Sequence, residues 1–298
     1  MQIRRRSAFA ECNPLTIMVF YITAIVFTML ITHPLYVATA LISSFTFALL
    51  LKPRAGLKFF LSFCLPIVIL VAAVNPLFNH LGVTILFYFN DNPVTAEAVI
   101  FGAVSALALA AVLMWFSTYN DVMTSDKFMH IFGRIIPKTA LIISMTLGLL
   151  PKMQKRLKNI SDAQTMIGKT RTKGFFQKIK SGLRILSILI TWSLENGIET
   201  ADSMKARGYG LRGRTSFSMY KLCRRDKILL PIFVAVAGVI IAGLITGAAY
   251  GQYYPKFSVS SFGIFNLLVF LCFALLCFLP IIIEITERVK WRYSVSKI

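Results

Sequence analysis

The chain has 298 residues, of which 57% are hydrophobic, with a mean hydropathy of +0.72 and a formal charge of +20. Soluble domains contain roughly 45–50% apolar residues, so this composition excludes an ordinary soluble domain and favours an integral membrane protein. Basic and apolar residues are segregated: 21 of the 32 lysines and arginines lie from Lys127 to Lys227, and none lies between Phe59 and Asp126.

Six apolar runs are long enough to cross a bilayer, which takes about 17–25 helical residues. The basic start of the chain leads directly into the first run without a small-residue cleavage site, which predicts a retained first helix and not a signal peptide. The positive-inside rule places both termini and residues 121–227 in the cytoplasm, with residues 79–93 and 251–256 outside. The predicted spans are residues 15–32, 35–51, 59–78, 94–116, 228–250 and 262–283.

Patterns typical of catalysis or metal binding are missing from the sequence. The histidines, His33, His80 and His130, are scattered near predicted helix or span ends without metal-ligand spacing, which favours capping or interfacial roles. The five cysteines form no CxxC pair. Glu97 and Glu284 are the acidic residues closest to a span interior, and each lies near a boundary, so nothing indicates a proton pump. We therefore assign no catalytic residue, metal site or cofactor to this chain.

One short segment imitates a nucleotide-binding motif. Gly168-Lys169-Thr170 matches the end of a phosphate-binding loop, but the glycine required five residues before Gly168 is replaced by Ala163. No predicted strand precedes the segment either. If transport by this protein uses ATP, the nucleotide must be bound by another chain.

The basic block contains two predicted amphipathic helices. The first follows Pro151, and the second begins near Phe176 and would be about 45 Å long at 1.5 Å per residue. Gly208 is a suitable residue to end the second helix, which places Arg207 at an exposed helix end. The positions at helical spacing are Met153, Leu157, Ile160, Gln164 and Ile167 in the first helix, and Phe176, Ile179, Leu183, Leu186, Ile190, Leu194, Ile198, Ala201 and Met204 in the second.

These patterns predict an all-α integral membrane protein with about six transmembrane helices and a cytoplasmic region of long amphipathic helices. Residues 1–120 and 228–298 form the membrane helices, and residues 121–227 form the cytoplasmic region. By composition, that region either contacts anionic lipid headgroups or serves as a docking platform for an acidic protein. A stand-alone channel or insertase and a membrane-embedded enzyme are the alternative classes, although the paired acidic or histidine motifs of such an enzyme are missing.

The end of the second amphipathic helix carries the most specific motif in the sequence. Residues 201–210 include Ala206-Arg207-Gly208, and this stretch closely resembles the Ala-Arg-Gly signature of the transmembrane T component of energy-coupling factor (ECF) transporters. The resemblance covers most of the chain in the family's order. Its supporting segments are Arg214-Thr215, Pro93-Val94-Thr95-Ala96-Glu97, Leu149-Leu150-Pro151 and Asp162-Ala163-Gln164.

The resemblance implies a non-catalytic subunit that transmits force. Its implied partners are two cytoplasmic ABC-type ATPases, which bind the ATP, a small membrane-embedded protein that binds a vitamin or a transition-metal ion, and the lipid bilayer of the cell membrane. Nucleic acid is not among them. The apolar surface that meets the substrate-binding protein could include the Phe-rich spans 59–78 and 262–283.

The resemblance also implies how the ATPases are bound. Ala206, Arg207 and Gly208 would enter a groove of one ATPase, where the planar guanidinium can bind a carboxylate through two hydrogen bonds. The first helix departs from the family pattern, because Met166-Ile167-Gly168 stands where an arginine is expected. This departure indicates that the two ATPases are not identical. Lys169 and Arg171 are candidate substitutes for the missing arginine, and Arg214 is a further candidate contact.

Overall fold

A computed structural model gives the positions of most of the chain. Nine longer helices, a 3-10 helix (Phe9–Glu11) and two short hairpins are found in the part of the chain that the structure describes. The described residues are 7–79, 81–89, 92–168, 174–211, 220, 222–247, 249–254, 258–259 and 263–295. The helices are α1 (Pro14–Leu30), α2 (Pro34–Leu51), α3 (Pro53–Phe78), α4 (Ala96–Val122), α5 (Ser125–Ile135), α6 (Pro137–Met166), α7 (Phe175–Ala206), α8 (Arg224–Ile245) and α9 (Ile264–Val295).

The chain divides into two compact units, which we call the membrane unit and the coupling unit. The membrane unit comprises residues 1–127 and 220–298, and the coupling unit comprises residues 128–219. Five helices of the membrane unit, α2, α3, α4, α8 and α9, are long and apolar enough to cross a bilayer. The sixth, α1, is apolar but has 17 residues, at the lower limit of a span. The predicted all-α membrane fold is confirmed.

Two helices begin where the sequence supplies a capping side chain followed by proline. Asn13 and His33 each precede a proline at the first helical position, and their side chains accept hydrogen bonds from the backbone N–H groups of Leu15 (3.0 Å) and Leu35 (3.3 Å). Proline fits here because its missing N–H would be unpaired in any case. The predicted capping role of His33 is therefore confirmed. His130 lies inside α5, and His80 lies outside the described residues.

An aromatic cluster forms the centre of the membrane unit, where α4 packs against α1, α2 and α3. The rings of Phe9, Phe20, Tyr21, Phe47 and Trp115 are at most 1% exposed. Their centroids lie 5.3 Å apart for Phe9 and Phe20 and 5.5 Å apart for Phe20 and Trp115, in edge-to-face arrangements. Such pairs add packing energy beyond area burial. Helix α9 packs on α2 and α8.

Residues 7–13 are bound to the helices of the membrane unit by buried charged groups. Glu284 accepts hydrogen bonds from the Ser7 hydroxyl and the Ala8 N–H, both at 2.8 Å. Asp226 accepts from the Asn13 N–H at 3.0 Å, and the Lys127 ammonium donates to the Ala10 carbonyl. We call residues 7–13 the N-terminal clasp. These contacts join positions more than a hundred residues apart, and local sequence patterns gave no signal for them.

Two antiparallel hairpins follow α3 and α8. Strand β1 (Ile85–Phe89) pairs with β2 (Asn92–Thr95), and β3 (Gly251–Gln252) pairs with β4 (Ser258–Val259). The first hairpin is bound to the start of α4, because the Thr84 N–H donates to the Glu97 carboxylate at 3.3 Å. Glu97 is 5% exposed. Glu97 lies in the first turn of α4, where a carboxylate is favoured by the helix N-terminus, and its hydrogen bond from Thr84 gives it a structural role.

Several helices of the membrane unit begin or end at residues other than the bounds of the predicted apolar spans, by up to 12 residues. Helix α4 begins after its cap Thr95, not at residue 94, and it continues beyond residue 116 through polar residues to Val122. Helix α8 ends at Ile245, before residue 250, because Gly247 follows with a φ of +76°. Helix α9 continues to Val295, beyond residue 283. Hydrophobicity marks the lipid-embedded length, whereas the helix itself can continue into water.

The first amphipathic helix of the coupling unit begins earlier than predicted, at Pro137 and not after Pro151. Helix α6 starts at Pro137 and passes through Pro151. The prediction rested on the apolar periodicity that begins at Met153, whereas a proline inside a helix removes one backbone hydrogen bond and usually kinks or ends the helix. Strong helix formers such as leucine, lysine and methionine flank Pro151 and support continuation. The preceding helix α5 was not predicted.

Candidate functional site: the ends of two amphipathic helices

The end of α7 has a complete glycine cap. Gly208 has a φ of +79°, its N–H donates to the Lys205 carbonyl at 2.9 Å, and the Tyr209 N–H donates to the Met204 carbonyl at 3.0 Å. These two bonds are those of the Schellman motif, which pairs the last carbonyls of a helix. Only glycine adopts this backbone conformation without strain. The predicted end of the helix at Gly208 is confirmed.

Arg207 occupies the last position before this cap. Its backbone has a φ of −83° and a ψ of 8°, and its N–H donates to the Ser203 carbonyl at 3.2 Å. The side chain is exposed and, within the described residues, makes no ion pair. The neighbouring cation Lys205 differs, because its Nζ lies 3.7 Å from the Asp202 carboxylate. The helix cap thus fixes the backbone of Arg207, and its guanidinium is exposed to solvent.

The end of α6 has the same glycine conformation. Gly168 has a φ of +77° and its N–H donates to the Thr165 carbonyl at 3.0 Å. Met166 and Ile167 are 87% and 64% exposed. A helix C-terminus presents carbonyl groups, whereas a phosphate-binding loop places its glycines before a helix N-terminus. The position of Gly168 therefore argues against a phosphate-binding role for this segment.

The structure places the six described candidate residues, Met166 to Gly168 and Ala206 to Gly208, at two helix ends of the coupling unit. Lys169, Arg171 and Arg214 lie outside the described residues. Sequence reasoning missed a contact between the two helices: the Arg156 guanidinium carbon lies 5.5 Å from the ring centroid of Trp192. A cation above an indole face is attracted by the ring quadrupole. The pair joins positions 36 apart, which no local periodicity reveals.

Two further observations concern other parts of the chain. All five cysteines are free thiols, and no group of three or more His, Cys, Asp or Glu side chains within the described residues could hold a metal ion.

The two Phe-rich spans, α3 and α9, differ in how much of each is buried within the protein. Only 6% of the apolar window of α3 is buried, against 44% of that of α9. Of these two spans, α3 therefore offers the larger uncovered surface.

A comparison with protein families decides what kind of protein carries these helix ends. The family model of CbiQ, described as a cobalt transport protein, matches residues 6–217. The chain belongs to the CbiQ family. This is the family of the T component of ECF transporters, so the resemblance found in the sequence is confirmed. As a CbiQ family member, the chain is a multi-pass membrane component of a transport system. The comparison with curated proteins gave no match.

Proposed function

We propose that this chain is the energy-coupling subunit of an ECF-type importer for a vitamin or a transition-metal ion. It transmits the ATP-driven motion of two cytoplasmic ATPases to a small membrane protein that binds the substrate. The description of the family as cobalt transport proteins favours a transition-metal ion. The chain itself binds no nucleotide in this proposal, and ATP hydrolysis takes place in the partner subunits.

One observation carries the proposal: Arg207 is exposed at the end of a 32-residue helix, is held by a glycine cap and has no ion-pair partner among the described residues. An arginine whose backbone is fixed by a helix cap and whose guanidinium is exposed is suited to a directional bond with a carboxylate of another protein. Ala206 keeps the neighbouring surface small. We infer that Arg207 enters an acidic groove of one ATPase.

Substitution of Arg207 tests this role. Removing one partner of a buried, hydrogen-bonded charge pair costs about 2–5 kcal/mol, so we expect Arg207→Ala to uncouple transport and to release an ATPase on purification. Arg207→Lys should restore only part of the function, because an ammonium keeps the charge without the two-pronged geometry. The measurements are substrate uptake and the amount of copurified ATPase.

Lys205→Ala provides the matched control. Lys205 is an exposed cation two residues away, and its surface pair with Asp202 contributes about 0–1 kcal/mol at most. Uptake and ATPase recovery should therefore stay at the level of the unsubstituted protein. If Arg207→Ala behaves like this control, Arg207 serves only the helix end and the docking role is wrong.

The proposed orientation places both termini and residues 121–227 in the cytoplasm. The charge segregation of the sequence supports it, since 21 of 32 basic residues fall in this region or at its edge. Cysteines introduced by Asn90→Cys and Lys173→Cys into a variant without its natural cysteines test it. An impermeant thiol reagent added to intact cells should label position 90 and not position 173. The reverse labelling pattern would contradict this orientation.

A further inference from the structure

The N-terminal clasp binds both segments of the membrane unit that flank the coupling unit in the chain. We call these segments the first connection, residues 123–127, and the second connection, residues 222–226. The ammonium of Lys127 in the first connection donates to the Ala10 carbonyl of the clasp. Asp226 in the second connection accepts from the Asn13 N–H of the clasp at 3.0 Å. One short segment is therefore hydrogen-bonded to the chain on both sides of the coupling unit.

In the first connection, Lys127 joins two helices across a break. Helix α4 ends at Val122 and α5 begins at Ser125, and Met123 between them is extended. The Lys127 ammonium also donates to the Val122 carbonyl at 2.8 Å, and the residue is 7% exposed. A cation is favoured at a helix C-terminus because the last carbonyl groups and the helix dipole are negative there. This one side chain thus links the end of α4, the start of α5 and the clasp.

In the second connection, both carboxylate oxygens of Asp226 are hydrogen-bonded. One accepts from Asn13 of the clasp, and the other accepts from the Cys223 N–H at 3.1 Å, at the start of α8. Asp226 is 1% exposed. A longer bond runs from the Arg225 guanidinium to the Ala8 carbonyl, at 3.4 Å. Because a buried charge is costly unless it is hydrogen-bonded, the clasp helps to keep Asp226 in this position.

The two connections come together at Cys12 of the clasp. Burial raises the pKa of the Cys12 thiol, and the charges of Arg225, Asp226 and Lys127 act on it as well. Side chains from both connections therefore lie near one buried thiol. The first residues of the clasp are bound to a third element, because Glu284 of α9 accepts two hydrogen bonds from them at 2.8 Å.

We infer that the N-terminal clasp is a positioning element for energy coupling: it holds the two connections to each other and to α9, so that movement of the coupling unit is passed to the membrane helices. The inference rests on the proposed function. Residues at the ends of helices, such as Met123, can absorb large changes in φ and ψ and so act as hinges. A force applied to the coupling unit would be lost at such a hinge if the clasp did not hold it. Lys127 and Asp226 are then positioning residues.

Substitution of Asn13 separates this role from simple stabilisation of the fold. Asn13 has a φ of −57° and Cys12 before it is extended, so the backbone accepts proline at position 13. Asn13→Pro removes the N–H that binds Asp226 and puts a ring carbon in its place. Asn13→Ala is the matched control, because it removes the same side chain and its cap on Leu15 but keeps the N–H. The measurements on the complex in proteoliposomes are copurified ATPase, ATP hydrolysis and Co²⁺ uptake per ATP hydrolysed.

The inference predicts a loss of coupling without a loss of assembly. Asn13→Pro should keep ATPase binding and ATP hydrolysis but lower Co²⁺ uptake per ATP about fivefold or more, because a charged hydrogen bond to the second connection is lost. Asn13→Ala should stay close to the unsubstituted protein. Equal uptake per ATP in Asn13→Pro and Asn13→Ala would overturn the inference, even if Asn13→Pro yields less complex, since the clasp would then only stabilise the fold.

Lys127→Met makes the same test at the first connection. Methionine keeps a long unbranched side chain but removes the ammonium that binds Ala10 and Val122. Uptake per ATP should fall as in Asn13→Pro. Lys138→Met is the matched control, because Lys138 is an exposed lysine of α6. Equal uptake per ATP in Lys127→Met and Lys138→Met would also overturn the inference.

The unsubstituted complex offers a test that needs neither a variant nor a transported ion. Cys12 is 1% exposed, so a clasp that stays closed shields it from a thiol reagent throughout the ATPase cycle. Labelling of Cys12, quantified by peptide mass spectrometry against SDS-denatured protein, should be equally slow with and without MgATP. Labelling that becomes several-fold faster during ATP hydrolysis would show that the clasp opens in the cycle, and the inference would be wrong.

These outcomes distinguish the inference from the proposed function. If ATPases bind and hydrolyse ATP but the clasp opens during hydrolysis, or Asn13→Pro couples as well as Asn13→Ala, only the inference fails. If no ATPase binds the unsubstituted chain, the proposed function fails, and the inference fails with it.

Discussion

The membrane unit and the coupling unit differ in how much apolar surface they bury. In the membrane unit, large side chains such as Phe20, Tyr21 and Trp115 are at most 1% exposed. In the coupling unit, the buried apolar residues within the described part of 128–219 are three: Ala140, Ile160 and Leu189. Helices in proteins derive most of their stability from packing of an apolar face. The membrane unit supplies that packing itself, whereas most large apolar side chains in the described part of the coupling unit are left exposed.

Among the substitutions that test this contrast, truncating a central aromatic side chain of the membrane unit should lower the unfolding free energy most. Trp115→Ala removes the ring that contacts Phe20, Tyr21 and Phe47. Such truncations cost about 3–5 kcal/mol in soluble proteins, and we expect about 3 kcal/mol here, because lipid is as apolar as the interior and only packing is lost. The measurement is unfolding of the purified chain by SDS in mixed micelles, followed by circular dichroism.

Leu183→Ala is the corresponding change in the coupling unit. Leu183 is 60% exposed on α7, so its truncation should change the unfolding free energy by less than about 0.5 kcal/mol. Equal destabilisation by the two substitutions would show that the coupling unit has a packed interior of its own, and the contrast between the units would be lost.

The second-largest expected free-energy change concerns the attachment of the N-terminal clasp, residues 7–13. Glu284→Gln removes the charged acceptor of the Ser7 and Ala8 hydrogen bonds, and we expect detachment of the clasp to become easier by about 2 kcal/mol. Cys12, within the clasp, reports on this detachment. Burial raises the pKa of the Cys12 thiol to about 11, so at pH 9 the residue is protonated and shielded in the intact protein. In a detached clasp the pKa returns to about 8.5, and most of the thiol ionises at pH 9.

Labelling of Cys12 at pH 9 by a thiol reagent measures the change. The rate should rise in Glu284→Gln and stay at its low initial value in Glu199→Gln, which neutralises an exposed carboxylate of the coupling unit. In the unsubstituted protein the rate should increase only as the pH approaches 11. Rapid labelling of the unsubstituted protein at pH 9 would contradict the buried position of Cys12.

The sequence was most informative where a local pattern determines the structure. Hydropathy located the spans, and the Gly208 motif located the end of α7, because a positive φ at the end of a helix favours glycine. The same reasoning failed at Pro151, where a helix continues despite the proline. It also gave no signal for the clasp contacts of Glu284 and Asp226, which join residues more than 200 positions apart in the chain. Such long-range contacts depend on the packing of whole helices and not on spacing.

The smallest effect concerns the contact between α6 and α7 within the coupling unit. A cation–π contact at an exposed site contributes about 0.5–1 kcal/mol, so Arg156→Ala should allow α6 to open about two- to fivefold more often. Hydrogen exchange of the α6 amides in the full chain measures this opening. Lys155→Ala, a change at the neighbouring exposed cation, should leave the exchange rates unaltered, and Arg156→Lys should keep part of the contact. A double-substitution cycle with Trp192→Leu assigns the effect to the pair, because the second substitution should add little once Arg156 is gone. If the two effects add fully, the guanidinium and the ring do not interact, and α6 and α7 have even less packing of their own than the structure indicates.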